Sequence, residues 1–329
     1  MNTYIRSIGS YIPEKRVTND ELAERIDTSD EWIRSHTGIG ARHIADDNEA
    51  TSDLGYRAAV EALACGGVAV EEIGGIIAAT ATPDHFGFPS TACIIQDRLK
   101  APSGFAFDVT AGCSGFIYGL EIARGMLQLK DADNILVIGA EKLTSVVDWD
   151  DRNSVLFGDA GGAVVLSRLN GDEQGLRGII DSELHADGSG ADALMVASGG
   201  SRRPMKDGPY DISELTLRMQ GRRVYNFAVS VIVKTLRSMM ERNGLTIDDV
   251  DYIVPHQANI RIIQAAAKRL GFPFEKFYVN IEDLANTSAA SIPVALKEME
   301  RKGLLRRGAR ILTIGFGAGL TYGGNVIIW

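Results

Sequence analysis

Three residues of this chain sit where their types could do covalent chemistry. Cys113 lies in Phe105–Leu129, which reads as a strand (FAFDV), a tight turn (TAGCSG) and a helix (FIYGLEIARGMLQL). Its small neighbours Ala111, Gly112, Ser114 and Gly115 let another backbone approach and leave the sulfur accessible. A thiol at a helix N-terminus is expected to have a lowered pKa, because the dipole and free N–H groups favour a thiolate. The same N–H groups can hold an oxyanion on an acyl group attached to the sulfur. The segment alone fits an inert buried cysteine equally well.

His256, in VPHQAN, follows a strand and precedes a helix. That is the strand end where α/β proteins place their sites, although a lone histidine is more often structural. Asn286, in ANTSAASIP, precedes small residues and a proline, and by itself reads as a turn or helix cap. Gly315–Gly324 (GFGAGLTYGG) imitates a phosphate loop, but it lacks the Walker lysine and stands at the chain's end. A nucleotide fold is not expected from it.

The elements that must position these residues alternate along the chain. Strand candidates are Gly75–Thr80, Phe105–Val109, Ile135–Gly139, Gly162–Leu166, Tyr252–Val254, Arg310–Ile314 and Gly324–Ile328. Between them run helical stretches, the pattern of an α/β protein. Val224 to Met239 repeats apolar residues at helical spacing, and Asn243-Gly244 ends that helix. The halves echo each other: Val70–Leu99 resembles Ile247–Leu270, and Asn134–Glu141 with Gly161–Leu166 resembles Arg310–Gly319 with Asn325–Ile328. This predicts a duplication with a boundary near residue 173, giving halves 1–173 and 174–329. Ser198–Tyr210 is turn-rich and basic, so an exposed loop is expected there.

With 329 residues, 45% hydrophobic and 23% charged, the chain has material for a large core. A net charge of −9 argues against a general nucleic-acid binder. No apolar run approaches the roughly 20 residues that span a bilayer, and the first residues lack the apolar core of a secretory signal. Cys65, Cys93 and Cys113 show neither zinc-ligand spacing nor a disulfide framework, so a cytoplasmic location is expected.

TAGCSGF, VPHQAN, ANTSAASIP, FGAGLTYG and the early DTSDEWIRSHTGI, taken in order, resemble the motifs of the β-ketoacyl-acyl carrier protein synthase III family. The resemblance implies the thiolase fold, two duplicated halves in five αβαβα layers, paired as a homodimer. It implies a Cys-His-Asn triad of Cys113, His256 and Asn286. An acyl group would pass from acyl-CoA to Cys113. Malonyl-acyl carrier protein would then lose carbon dioxide, and the carbanion would attack the Cys113 thioester. His256 and Asn286 would stabilise the enolate, and the N–H groups of Cys113 and Ala318 would form the oxyanion hole. No cofactor is implied, because sulfur and hydrogen bonds carry the chemistry.

The resemblance also assigns CoA contacts to Thr28, Trp32, His36, Arg152, Gly221 and Asn259, and closure of the neighbouring subunit's acyl pocket to Phe88. Thr28 is in addition expected to open a capping box with Glu31. The family usually has Gly where Ala318 stands and Arg where His36 stands. An imidazole lacks the fixed charge and donor fork of a guanidinium, which predicts weaker or pH-dependent CoA binding. Arg261 and Lys268 are two helical turns apart, with Arg269 beside them; this face is either a solvated surface or a docking site for acidic carrier protein.

Three rivals compete with this reading. A papain-like protease shares the Cys, His, Asn order but not the cysteine's flanks or the secreted disulfide context. A starter-unit ketosynthase or acyltransferase of secondary metabolism would share fold and triad. A non-catalytic scaffold would have no use for the triad.

Overall fold

The computed structural model describes residues 3–102, 104–129, 132–169 and 177–329. The strands are β1 (Thr3–Tyr11), β2 (Lys15–Thr18), β3 (Ala41–Ile44), β4 (Ile73–Ala79), β5 (Phe105–Val109), β6 (Asn134–Glu141), β7 (Ala160–Arg168), β8 (Gly178–Ala186), β9 (Leu194–Val196), β10 (Leu217–Met219), β11 (Tyr252–Pro255), β12 (Arg310–Gly317) and β13 (Thr321–Ile328). The helices are α1 (Asn19–Ala23), α2 (Asp30–Thr37), α3 (Thr51–Gly66), α4 (Thr91–Leu99), α5 (Gly115–Leu129), α6 (Ile212–Leu215), α7 (Gly221–Arg242), α8 (Ile260–Leu270), α9 (Ile281–Leu284) and α10 (Ser291–Arg301). Every strand expected from sequence is present, most of them one to three residues longer.

Among the described residues two large sheets form, in the orders β1-β7-β6-β4-β5 and β11-β12-β13-β8, with two-stranded ribbons β2–β3 and β9–β10 beside them. In the first, β4 runs parallel to β5 and β6, while β6–β7 and β7–β1 are antiparallel. In the second, β11–β12 is parallel and β12–β13 and β13–β8 are antiparallel. The pairing scheme repeats, and the edge strand β5 is matched by a single parallel bridge between Ile253 and Phe277. Strands β1 and β8 escaped the sequence reading because polar residues interrupt them (TYIRSIGSY, GIIDSELHA). The expected boundary near residue 173 falls outside the described residues.

Helices α5 and α10 lie between the sheets, α3 and α4 cover the outer face of the first, and α7 and α8 that of the second. Each interface holds its own apolar cluster, so both sheets are buried on two faces. That explains why β6 is buried at every position instead of alternating. Helix α7 buries the residues expected from its period, among them Ala228, Val231, Ile232, Leu236 and Met239. Asn243 caps it and Gly244 turns left-handed at φ 61°.

Helix α2 corrects one expectation. Its N-cap is Ser29, whose hydroxyl accepts from the Trp32 N–H, so Thr28 lies outside the helix and opens no capping box.

The loop after α9 rests directly on β6. A Cβ built on Gly139 would fall 2.2 Å from the Ala289 carbonyl oxygen, so only glycine lets that loop lie flat on the strand. Gly139→Ala is expected to cost about 1–3 kcal/mol through overpacking. Urea unfolding measures it; an unchanged midpoint would contradict the packing described.

Candidate active site

Cys113 occupies a single 3-10 turn, Gly112–Ser114, that runs straight into α5. Opposite lies the turn that leaves β12. A Cβ on Gly317 would be 2.5 Å from the Cys113 nitrogen, and one on Gly112 would be 2.8 Å from the Ala318 nitrogen. The two glycines therefore allow the two backbones to touch. Ser114 Oγ and Thr321 Oγ1, 2.8 Å apart, tie the turns together. A Cβ at Gly112 would also come within 3.1 Å of the Ala318 methyl, so Gly112 makes room for the departure at position 318.

His256 extends β11: its N–H donates to the Ile314 carbonyl at 2.8 Å. Its Nδ1 lies 2.7 Å from Ser291 Oγ, at the first residue of α10, and its ring meets Phe316 edge-on. The Gln257 N–H also points at Ser291 Oγ. That hydroxyl can give its own proton to Nδ1, and the neutral ring then carries its proton on Nε2. Burial pushes His256 down to about 3, so the ring is neutral at physiological pH.

Asn286 is fixed through its backbone. Its N–H donates to the Leu156 carbonyl and its own carbonyl accepts from Gly158. The side-chain Oδ1 accepts from the Ser288 N–H at 2.9 Å, which leaves the amide's NH₂ for the cavity. Ala285 and Ser288 flank it at φ 56° and 48°, left-handed conformations that cost energy and cluster at functional sites.

Cys113, His256, Asn286, Gly221, Asn259 and Ala318 line one cavity of about 210 Å³, with apolar walls from Leu194, Leu217, Met219 and Phe316. The ribbon β9–β10 supplies that wall, whereas the Ser198–Tyr210 loop does not line the cavity. Trp32, His36 and Arg152 form a separate cluster. His36 stacks on the indole at 4.3 Å and the Arg152 guanidinium lies 3.7 Å from the same ring centre, so they hold opposite faces. Asn259, the cap of α8, joins cluster and cavity by donating to the His36 carbonyl at 3.1 Å. Thr28 Oγ1 is buried, with no hydrogen-bond partner among the described residues. Arg261, Lys268 and Arg269 are exposed along α8, and Arg261 Nε donates to the Ser35 carbonyl. Phe88 lies away from the cavity, 87% exposed.

The thiolate expectation needs correcting. Burial pushes the Cys113 thiol up to about 12; Ser288 opposes this and the charge of Glu141 adds to it. The residue is only half-buried, its edge open to the cavity, but the sulfur is enclosed. Desolvation outweighs the Ser288 contact and the Cys113 N–H, both of which favour the thiolate.

Sequence reasoning missed Glu141, Ser288, Ser291 and Phe316. Glu141 left a signal: a carboxylate closing the apolar strand NILVIGAE must be buried, and a buried charge needs partners.

The chain matches the family model for 3-oxoacyl-[acyl-carrier-protein] synthase III over residues 107–188 and the model for that enzyme's C-terminal part over residues 240–329. It is 48% identical over 326 residues to a β-ketoacyl-[acyl-carrier-protein] synthase III of Caldanaerobacter subterraneus, covering 99% of this chain and 97% of the relative. The crystal structure of 3-oxoacyl-[acyl-carrier-protein] synthase III from Aquifex aeolicus superposes with a TM-score of 0.90 at 42% identity, covering 99% of this chain and 100% of that one. The priming β-ketosynthase of the R1128 polyketide pathway gives 0.90 at 35% identity, covering 99% and 96%. Such full-length likeness removes the papain-like alternative. It fixes the architecture as the thiolase fold, two duplicated halves in five layers, and the chain belongs to the β-ketoacyl-[acyl-carrier-protein] synthase III family of condensing acyltransferases.

Proposed function

We propose that this enzyme condenses an acyl-CoA primer with malonyl-acyl carrier protein, with decarboxylation, through an acyl-Cys113 intermediate, and so initiates fatty acid synthesis. The observation that carries the reading is the convergence of Cys113, His256 and Asn286 on one apolar cavity. In the first step the Cys113 sulfur attacks the acyl carbonyl. The N–H groups of Cys113 and Ala318 receive the oxyanion: the first is an uncommitted donor at a helix start, the second follows its strand. In the second step malonyl-acyl carrier protein loses carbon dioxide, and the enolate oxygen takes hydrogen bonds from His256 Nε2 and the Asn286 amide. A neutral imidazole with its proton on Nε2 suits that role, since it donates without being consumed as an acid. The carbanion then attacks the thioester and frees Cys113. This scheme calls for no metal or redox cofactor.

The adenine end of CoA is assigned to Trp32, His36 and Arg152, with Thr28 at the mouth and Gly221 and Asn259 along the pantetheine path. Arg152 and His36 both lie over the indole, so adenine can stack on it only if one of them moves. The exposed face of Arg261, Lys268 and Arg269 is assigned to the acidic carrier protein. Phe86 and Phe88 are 79% and 87% exposed on the loop between β4 and α4. Two such rings in water favour an apolar cover, and a second copy of the chain, whose acyl pocket Phe88 would close, is our assignment. We place the enzyme in the cytoplasm, and its halves at 1–173 and 174–329, on the matching strand pairings.

One observation favours a second reading. The likeness to a polyketide priming ketosynthase fits a starter-unit enzyme with the same chemistry. A panel of acyl-CoA primers condensed with malonyl-acyl carrier protein, with products identified by mass, separates the two.

Incubation with acyl-CoA is expected to add one acyl mass per chain, absent in Cys113→Ala; an unmodified wild-type mass would overturn the reading. Ser291→Ala is expected to lower condensation by about tenfold while leaving acylation by acyl-CoA intact, because the tautomer matters only for the enolate. Equal losses in both steps would contradict the role given to His256. His36→Arg is expected to tighten acyl-CoA binding and flatten its pH dependence between mildly acidic and neutral pH. Calorimetric affinities that are already flat and indifferent to the substitution would refute it.

A further inference from the structure

Glu141 closes β6 beside the loop that carries Asn286, and nothing in the scheme above uses it. Its side chain is fully buried, at 0% exposure. Five neutral groups donate to the carboxylate: Thr80 Oγ1 at 3.1 Å, the Ala81 and Thr82 N–H groups at 3.0 and 3.1 Å, Thr82 Oγ1 at 2.6 Å and Ser288 Oγ at 2.9 Å. Burying a carboxylate among neutral dipoles costs free energy, so its presence needs a physical reason. Four of the donors belong to residues 80–82, the turn that leaves β4, and serve only to anchor that turn. The fifth, Ser288, belongs to the Asn286 loop.

Ser288 is left-handed, at φ 48°, a conformation that a residue with a Cβ keeps only where its surroundings over-determine it. In that conformation its N–H meets Asn286 Oδ1 at 2.9 Å. A backbone N–H can meet only the oxygen of a side-chain amide, so the Asn286 NH₂ is left for the cavity. Two features of β6 hold the strained residue. Gly139 admits the carbonyl of Ala289, next along the chain, and Glu141 Oε1 takes the Ser288 hydroxyl. We propose that Glu141 is a positioning residue for condensation, its carboxylate holding Ser288 in the left-handed conformation that fixes the Asn286 amide. This rests on Asn286 being a donor to the malonyl enolate. Acylation of Cys113 does not use that amide, so the positioning serves the second half-reaction alone.

A double-mutant cycle on the two half-reactions tests this. Glu141→Ala is expected to lower kcat for malonyl-acyl carrier protein on the preformed acyl-enzyme about tenfold, with KM unchanged. Acylation by acyl-CoA, measured on the same sample, is expected to be no slower, because the Glu141 charge no longer raises the Cys113 thiol. Glycine adopts φ 48° without an anchor, so in a Ser288→Gly background the same Glu141→Ala change is expected to cost less than about twofold. An equal cost in both backgrounds, or equal losses in acylation and condensation, overturns the proposal. Should Glu141→Ala not fold, Ser288→Ala and Ser288→Gly decide it. Both lack the hydroxyl, but only alanine is strained, so Ser288→Ala is expected to condense about tenfold more slowly; equal rates overturn the proposal. Asn286→Ala separates the two levels of the argument. Wild-type condensation in that variant overturns the role given to Asn286 and this inference with it. A large loss there beside wild-type rates in Glu141→Ala and Ser288→Ala overturns this inference alone.

Discussion

The backbones of Gly112–Cys113 and Gly317–Ala318 approach so closely that a side chain on either glycine would collide with the opposite turn. One turn belongs to each half of the molecule. Their contact sets Cys113 and Ala318 side by side and brings His256, from the end of β11, to the same cavity. The duplicated sheets serve this contact. Buried on both faces, they hold the turns at fixed separation, and Gly139 lets the Asn286 loop settle onto β6. A site assembled from two halves in this way depends on packing across the centre of the molecule more than on any one side chain.

Polar groups beneath the site follow a different logic. Glu141, Ser288, Asn286, Ser291 and His256 are all buried, and each side chain is held by at least one hydrogen bond. Satisfied networks of this kind define one arrangement of protons as well as of atoms. Here the arrangement lets His256 and Asn286 donate and leaves Cys113 a thiol. The nucleophile is therefore protected at rest and must shed its proton only when substrate arrives. A helix N-terminus favours a thiolate in water-exposed settings, but enclosure of the sulfur next to a carboxylate reverses the balance.

Much of this was legible in the residues. Strand β5 ends where FAFDV ends, α7 stops at Asn243-Gly244, and Cys113 stands at the junction its small neighbours advertise. Such features are local: period, cap and turn chemistry act within a few residues. Strands β1 and β8 were not legible because each is an edge strand with mixed polarity, stabilised by partners far along the chain. Ser29 displaced Thr28 as the cap of α2 since both are good N-cap residues and only geometry chooses. The CoA contacts came from family resemblance alone. Ser291 and Ser288 looked like filler in a small-residue run, and their value lies in which buried atoms they meet.

The claim on which the account stands is that Cys113 holds the acyl group only between two half-reactions. Pre-forming the acyl-enzyme with isotope-labelled acyl-CoA, removing free CoA and adding malonyl-acyl carrier protein tests it in a single turnover. The label should move from Cys113 into a β-ketoacyl-carrier protein with stoichiometric release of carbon dioxide. Label that stays on the enzyme, or departs as free acid, would contradict the account.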